Sequence, residues 1–345
     1  LFEDRSEIGD GWFQGQSASD EIALSAGAAA QISVIHDGPL AVTFRIQTTM
    51  DLPERYDFHL ERRSENRRGL TIVTTVTLRR GAQALECHCE IRNNIEDHRL
   101  RLLFPSDATE AHRWLAHHPY DLVERPIRLR RETADWSEAD LAEKPFLNLQ
   151  AVGDGRRGLA LIVPGGMHEG GVVDDDRRTL QMTLFRSYRR TVGSTLGRDG
   201  LELGTLHVDF AIMPYSGELP VAAAFDQLFA MQSPLVCRQS GKCRSGYPEL
   251  AGDQEPDQSF MELLNGQLIF SACKNAEDGR GVIIRLWNPH NHAAQERLRL
   301  WRDIASANYC DLAEQDGKAL TAEGDEIVVS AAAKQIRTLR ILFKD

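Results

Sequence analysis

The chain has 345 residues, 42% hydrophobic and 26% charged, which suits one large folded core or two ordinary ones and excludes a disordered polymer. Its 40 Lys and Arg against 51 Asp and Glu leave a net charge of −11, so neither nucleic acid nor a membrane is expected as a partner. No apolar run approaches the roughly 20 residues that span a bilayer.

Six cysteines (Cys87, Cys89, Cys237, Cys243, Cys273, Cys310) are too sparse to staple a chain of this length and fit a reducing cytoplasm. The first residues lack the pattern of a signal peptide. A chain that opens without Met at Leu1-Phe2-Glu3-Asp4 reads as cut from a larger polypeptide.

Period-two alternation dominates. Ile32 and Val34 face Val42, Phe44 and Ile46 across the turn His36-Asp37-Gly38-Pro39, a hairpin pattern. Thr71 to Leu78 is β-branched almost throughout, and the chain returns through Leu85, Cys87, Cys89 and Ile91. That return puts both thiols on one face, as buried small hydrophobes, with Glu86, His88 and Glu90 on the other. Further strands are expected at Leu100 to Phe104, Phe146 to Val152, Leu159 to Val163, Leu180 to Phe185 and Leu206 to Met213.

Between Pro105 and Pro145 the pattern is weak and polar, with Trp114, Tyr120 and Trp136 scattered through it; such an excursion wraps a sheet edge or covers a site. One helix is expected from Pro220, with Val221, Ala224, Phe225, Leu228 and Phe229 on one stripe until Ser233-Pro234. Short strands resume at Gln267 to Ser271, Gly281 to Trp287, Glu296 to Trp301, Glu326 to Ser330 and Gln335 to Phe343. At least a dozen strands against one helix predict an all-β protein: a large unit 1–235 ending in the helix, a linker 236–258 and a small C-terminal β-sandwich 259–345.

The usual motifs of phosphate loops, zinc helices and nucleophile elbows are missing. Met167-His168-Glu169-Gly170-Gly171 reads as a flexible loop, a plain connection or a ligand-facing one. Asp174-Asp175-Asp176 reads as a solvated turn rather than a cation site, because adjacent side chains on an extended chain diverge. His112, His117 and His118 lack a carboxylate or thiolate at ligand spacing. Arg186 and Tyr188 share a face with Leu184, where an Arg needs a carboxylate from the protein or from a ligand. Lys274, Glu277 and Arg285, around the turn Asp278-Gly279, read as a structural ion-pair set.

Several segments together resemble the C-terminal region of glycoside hydrolase family 38 α-mannosidases. Phe2 to Trp12 is similar to that family's Asp-x-x-Asp-x-Gly-Asp-x-Tyr segment, with Glu7 in place of the second acidic residue and Trp12 in place of the aromatic. Asn93 to Pro105 is similar to its Asn-x-x-x-Asp-His-Arg-Leu-Arg run. Gly158 to Val163, Thr179 to Ser187, Ser271 to Gly279, Ile284 to Asn288 and Gln335 to Leu339 match further segments in the same order, so the resemblance covers essentially the whole chain.

The resemblance implies a large galactose-mutarotase-like supersandwich followed by a smaller β-sandwich. It also implies a retaining, zinc-dependent α-mannosidase whose nucleophile and zinc lie in a β/α catalytic domain upstream of Leu1. No catalytic residue and no metal ligand are then expected in this chain, whose expected partners are an α-mannoside, that upstream domain and, for a platform, further copies of itself. His168, Glu169, Arg186 and Tyr188 are the candidates for the substrate side. Asp10, Asp97, His98, Arg99, Lys274, Glu277, Asp278 and Arg285 are expected to be structural polar groups. The rival reading is a free-standing carbohydrate-binding or aldose-epimerase-like protein, which needs a His and a Glu converging in a concave face.

Overall fold

The computed structural model describes residues 1–18, 21–133, 135–136, 140–191, 197–237 and 258–344; Cys243 and residues 238–257 of the expected linker lie outside them. The chain divides into two compact units, Leu1–His117 with Val123–Pro220 and His118–Leu122 with Val221–Asp345. The protein is all-β apart from one helix and two single 3-10 turns among the described residues.

In the first unit the β-branched stretch becomes the strand Arg67–Arg79, paired antiparallel with Ala41–Pro53 on one side and Leu85–Asn93 on the other. These lie in a nine-stranded sheet that continues through Gly204–Tyr215, Gly158–Ile162, Leu149–Gly153, Arg113–His118 and Asp121–Pro126, with Ala30–Asp37 at the opposite edge. A six-stranded sheet runs Lys144–Phe146, His168–Val172, Thr179–Ser187, His98–Pro105, Phe2–Ser6 and Ala23–Leu24. Leu100, Leu102, Leu180 and Met182 of the smaller sheet share one apolar core with Leu70, Ile72, Cys89 and Phe210 of the larger. Burial pushes the thiols of Cys87 and Cys89 up to about 12 and about 11, so both remain protonated and act as core hydrophobes.

Alternation within the smaller sheet has a second consequence. Because Leu100 and Leu102 face the core, Arg99 and Arg101 must project from the opposite face. The register aligns Glu3 with Arg101, Arg101 with Thr183, Thr183 with Glu169 and Glu169 with Pro145. A polar row therefore crosses four strands on the face away from the core, and Pro145 continues it on the fifth.

The second unit is a sandwich of a four-stranded sheet (Met261–Leu263, Ala294–Leu300, Glu326–Ala331, Ala322–Glu323) and a five-stranded one (Ile269–Asn275, Val282–Trp287, Ile336–Phe343, Ile304–Cys310, Asp316–Leu320). Leu298, Leu300 and Val329 meet Ile284, Leu286, Leu339 and Ile341 in its core. The helix Val221–Gln232 belongs to this unit, where Phe225 packs edge-on against Trp287 at 5.6 Å, although its place in the sequence reads as the close of the first unit.

Three expectations are corrected. Residues 146 to 152 form two strands, Lys144–Phe146 in the smaller sheet and Leu149–Gly153 in the larger, because the chain changes sheet between them. The expected loop at 167–171 is the strand His168–Val172, bonded on both sides. Arg285 does not complete an ion-pair set: Lys274 pairs with Glu277 and, at 2.6 Å, with Glu314, while Arg285 Nε donates to Thr338 Oγ1 at 3.2 Å. Asp278 holds its turn, bonded by the backbone N–H and guanidinium of Arg280 and by Arg340, which keep its carboxyl well below the usual range. Gly279 there has φ +74.

Candidate functional site

The polar row of the smaller sheet is crossed by a short loop from residues 7 to 15. Glu7, 1% exposed, accepts the backbone N–H groups of Gly9 and Gly15 at 3.0 and 2.8 Å through Oε1. Its Oε2 takes Arg186 Nε at 2.8 Å. Arg186 Nη2 donates in turn to the carbonyls of Asp10 and Phe13 at 2.8 and 2.7 Å. Asp10 Oδ1 accepts from the backbone N–H groups of Phe13 and Trp12, which hold its carboxyl below the ordinary range. The loop backbone is thus fixed at both ends and at its tip, yet the tip presents Trp12 76% exposed and Phe13 53% exposed.

Beneath these aromatics lies a cavity of about 520 Å³, lined by Trp12, Phe13, Gln14, Leu141, Glu143, Lys144, Pro145, Met167, His168, Glu169, Thr183, Leu184, Phe185 and Arg186. Its mouth is apolar, with Trp12, Phe13, Leu141 and Met167 exposed, and its floor is polar. Gln14 bridges the floor, accepting from Arg99 and donating to Glu169. Thr183 Oγ1 donates to Glu169 Oε1 at 3.0 Å. Burial raises the Glu169 carboxyl, against the Thr183 hydroxyl and the Arg99 charge, and burial lowers the His168 imidazole toward its neutral form.

Glu143 pairs with Arg101, which also holds Glu3 and Gln181. Arg99, 1% exposed, lies behind the floor with Nη2 3.7 Å from Glu143 and Nη1 3.9 Å from Glu169. Its Nε and Nη2 have no hydrogen-bond acceptor among the described residues.

The pocket therefore gathers His168, Glu169 and Arg186, with Arg186 committed to Glu7 and the loop carbonyls. Tyr188 is not among the lining residues; its ring stands 5.4 Å from the Arg186 guanidinium. His98 is fully buried between Asp4 (Nδ1 to Oδ1, 2.5 Å) and Asn93 (Nε2 to Oδ1, 3.0 Å). Asp97 is fully buried and forked onto Arg189 at 2.7 and 2.6 Å. Asp175 caps the turn after the acidic run, accepting from Thr179 N at 2.9 Å, while Asp174 pairs with Arg178.

Sequence reasoning misses Gln14, Glu143 and Lys144. The signal available for the last two is their place in the aromatic excursion before Pro145, flagged as a segment that could cover a site.

The family resemblance places its zinc in an upstream domain, and the residues of this pocket do not fit such an ion. Both floor carboxylates face guanidinium groups, Glu143 that of Arg101 and Glu169 that of Arg99, and a divalent cation there would meet arginine charge. Among the described residues no group of three or more His, Cys, Asp or Glu is arranged to hold a metal ion.

Two successive β-sandwiches, the first with an aromatic-lipped polar pocket on its smaller sheet, define the class of this protein. Residues 1–190 match the glycosyl hydrolases family 38 C-terminal domain, and residues 267–339 match the family 38 C-terminal beta sandwich domain. The chain belongs to glycosyl hydrolase family 38 and is a C-terminal region of that family.

A "Putative mannosylglycerate hydrolase" of Halalkalibacterium halodurans is 28% identical over 313 residues, covering 84% of this chain and 32% of that protein. An alpha-mannosidase structure from Enterococcus faecalis V583 superposes with a TM-score of 0.82 at 20% identity, covering 99% of this chain and 38% of that one. A family 38 protein structure from Enterococcus faecalis gives 0.81 at 21%, with 99% and 40% covered. The chain thus spans about a third of the length of the curated relative it matches.

Proposed function

We propose that this chain is the β-domain portion of a retaining, zinc-dependent α-mannosidase, and that its first unit supplies one wall of the sugar cleft. The observation that carries the reading is the pocket, where a rigid loop holds Trp12 and Phe13 exposed above Gln14, Glu143, His168, Glu169 and Thr183. A pyranose offers an apolar C–H face to an aromatic ring and a ring of hydroxyls to amides, carboxylates and imidazoles, so both halves of the lining have a counterpart on it. Leaving an indole in water costs free energy that a ligand recovers.

Retaining hydrolysis needs two carboxyl groups about 5–5.5 Å apart, one free to attack and one free to carry a proton. Glu143 and Glu169 are each drawn to guanidinium groups, and we assign them the work of orienting donors and sugar hydroxyls. The nucleophile, the acid/base and the zinc belong, in this reading, to a β/α domain preceding Leu1 in the intact polypeptide. Zinc bound there would hold sugar hydroxyls and favour the oxocarbenium-like state. The substrate is an α-mannoside, and mannosylglycerate, named for one relative, is the first to try. Among the described residues Cys87, Cys89, Cys237, Cys273 and Cys310 form no disulfide, which fits action in a reducing cytoplasm.

The test uses the full-length gene product with 4-nitrophenyl α-mannopyranoside and with mannosylglycerate. Release of α-mannose as first product, with a Trp12→Ala variant raising KM about 10-fold and changing kcat little, is expected for a wall that binds without reacting. An unchanged kcat/KM in that variant, or release of β-mannose first, would reject the reading.

A further inference from the structure

We propose a second ligand site, independent of the pocket, on the outer face of the nine-stranded sheet, where His88 and His207 take a borderline divalent transition ion such as zinc. The site arises from the same alternation that buries the thiols: Cys87 and Cys89 point into the core, so His88 between them points outward. The strand Gly204–Tyr215 runs antiparallel beside it and aligns Asp209 with His88 and His207 with Glu90, which puts all four side chains on one face.

Asp209 Oδ1 lies 2.7 Å from His88 Nδ1. A carboxylate there holds the imidazole proton on Nδ1 and leaves the Nε2 lone pair free, the arrangement that orients histidines for metal binding. That Nε2 stands 3.3 Å from His207 Nδ1, with the ring planes 24° apart and the centroids at 5.4 Å. Two nitrogens bound to a tetrahedral zinc at about 2.0–2.1 Å are separated by roughly 3.3–3.4 Å, so the pair is already spaced for one ion.

In the ion-free chain a hydrogen bond between the rings fills this place. In that bond His207 Nδ1 donates to the His88 lone pair, so ion binding would move the His207 proton to Nε2 and open the Nδ1 lone pair to the shared point, with water supplying the remaining positions. The adjacent carboxylates add negative field without acting as ligands, since Glu86 is held by Arg79 and Glu90 by Arg92, each at 3.0 Å. With two protein ligands this is a binding site only, and no reaction is assigned to it.

Titration calorimetry of the chelator-treated chain with zinc chloride at neutral pH tests the proposal. A single equivalent is expected to bind; His88→Ala and His207→Ala should each abolish it, and Asp209→Asn should weaken it about 10–100-fold. All three side chains are at least partly exposed, and circular dichroism of the variants checks that the sheet is retained. Two results would overturn the assignment: no binding at millimolar zinc, or a His88→Ala/His207→Ala double variant that binds as the parent does, which would mark adventitious binding elsewhere.

Discussion

Arg186 shows how one side chain links fold to site. Its guanidinium is shared between the Glu7 carboxylate and two loop carbonyls, so it ties the strand Thr179–Ser187 to the loop that carries Trp12 and Phe13. Replacing it with Met leaves Glu7 buried without its counter-charge, a loss of about 3–5 kcal/mol for a buried pair. Chemical denaturation should show that loss for Arg186→Met, while Arg186→Lys, which keeps charge but not the fork, should lose less. Equal stability of the parent and the Met variant would refute the clamp.

Glu169 makes a pH-dependent prediction at the same scale. Burial raises its native carboxyl above the ordinary value, so the folded state holds that proton more tightly than the unfolded chain. The resulting stabilisation is full below the unfolded pKa and disappears as pH rises through the raised native value. Glu169→Gln lacks this dependence, so from about pH 4 upward its stability relative to the parent should improve as pH rises, until the native carboxyl has lost its proton. A difference that stays constant across the range would contradict the shift.

At the scale of elements, the strand His168–Val172 is where local sequence and tertiary context disagree. Gly-rich and flanked by turn residues, it reads as a loop, yet it is bonded to Lys144–Phe146 and Thr179–Ser187. Its glycines answer to close approach: a Cβ on Gly171 would stand 2.2 Å from the Ala142 carbonyl oxygen. Gly171→Ala should therefore displace the segment bearing Glu143 and Lys144 and cost about 1–3 kcal/mol, whereas Gly166→Ala, with nothing within 4 Å of its Cβ, should be nearly neutral. Thermal melts of the pair decide it; equal melts would deny the contact.

The same comparison explains what a linear reading can reach. Leu85 to Ile91 announces its strand because one face is buried and period two follows directly, while Thr71 to Leu78 announces its own through its run of β-branched residues. The switch of sheet between Phe146 and Leu149 leaves no periodicity signal, since both strands are short and both residues flanking the switch are buried and apolar. Glu143 and Gln14 enter the pocket through register and through a loop crossing, relations between residues distant in sequence. The motif Asp97-His98-Arg99 is readable as polar and structural, but its division into an inward His98 and an outward Arg99 needs the neighbouring strands.

For the molecule as a whole, two apolar cores form in two units, and the helix is part of the second. Phe225, 3% exposed against Trp287, should cost about 3–5 kcal/mol when cut to Ala, and hydrogen exchange should report the loosening in the strand Val282–Trp287 rather than in His98–Pro105. Exchange that quickens equally in both strands would contradict two separate cores.

In the proposed division of labour these β-sandwiches shape a sugar site and the bond-breaking groups lie elsewhere. The most direct measurement is 4-nitrophenolate release from 4-nitrophenyl α-mannopyranoside by the 345-residue chain alone, with and without added zinc. Release at the rate of the buffer blank in both conditions is predicted. Turnover that follows the purified chain and vanishes in Glu143→Gln or Glu169→Gln would contradict the account.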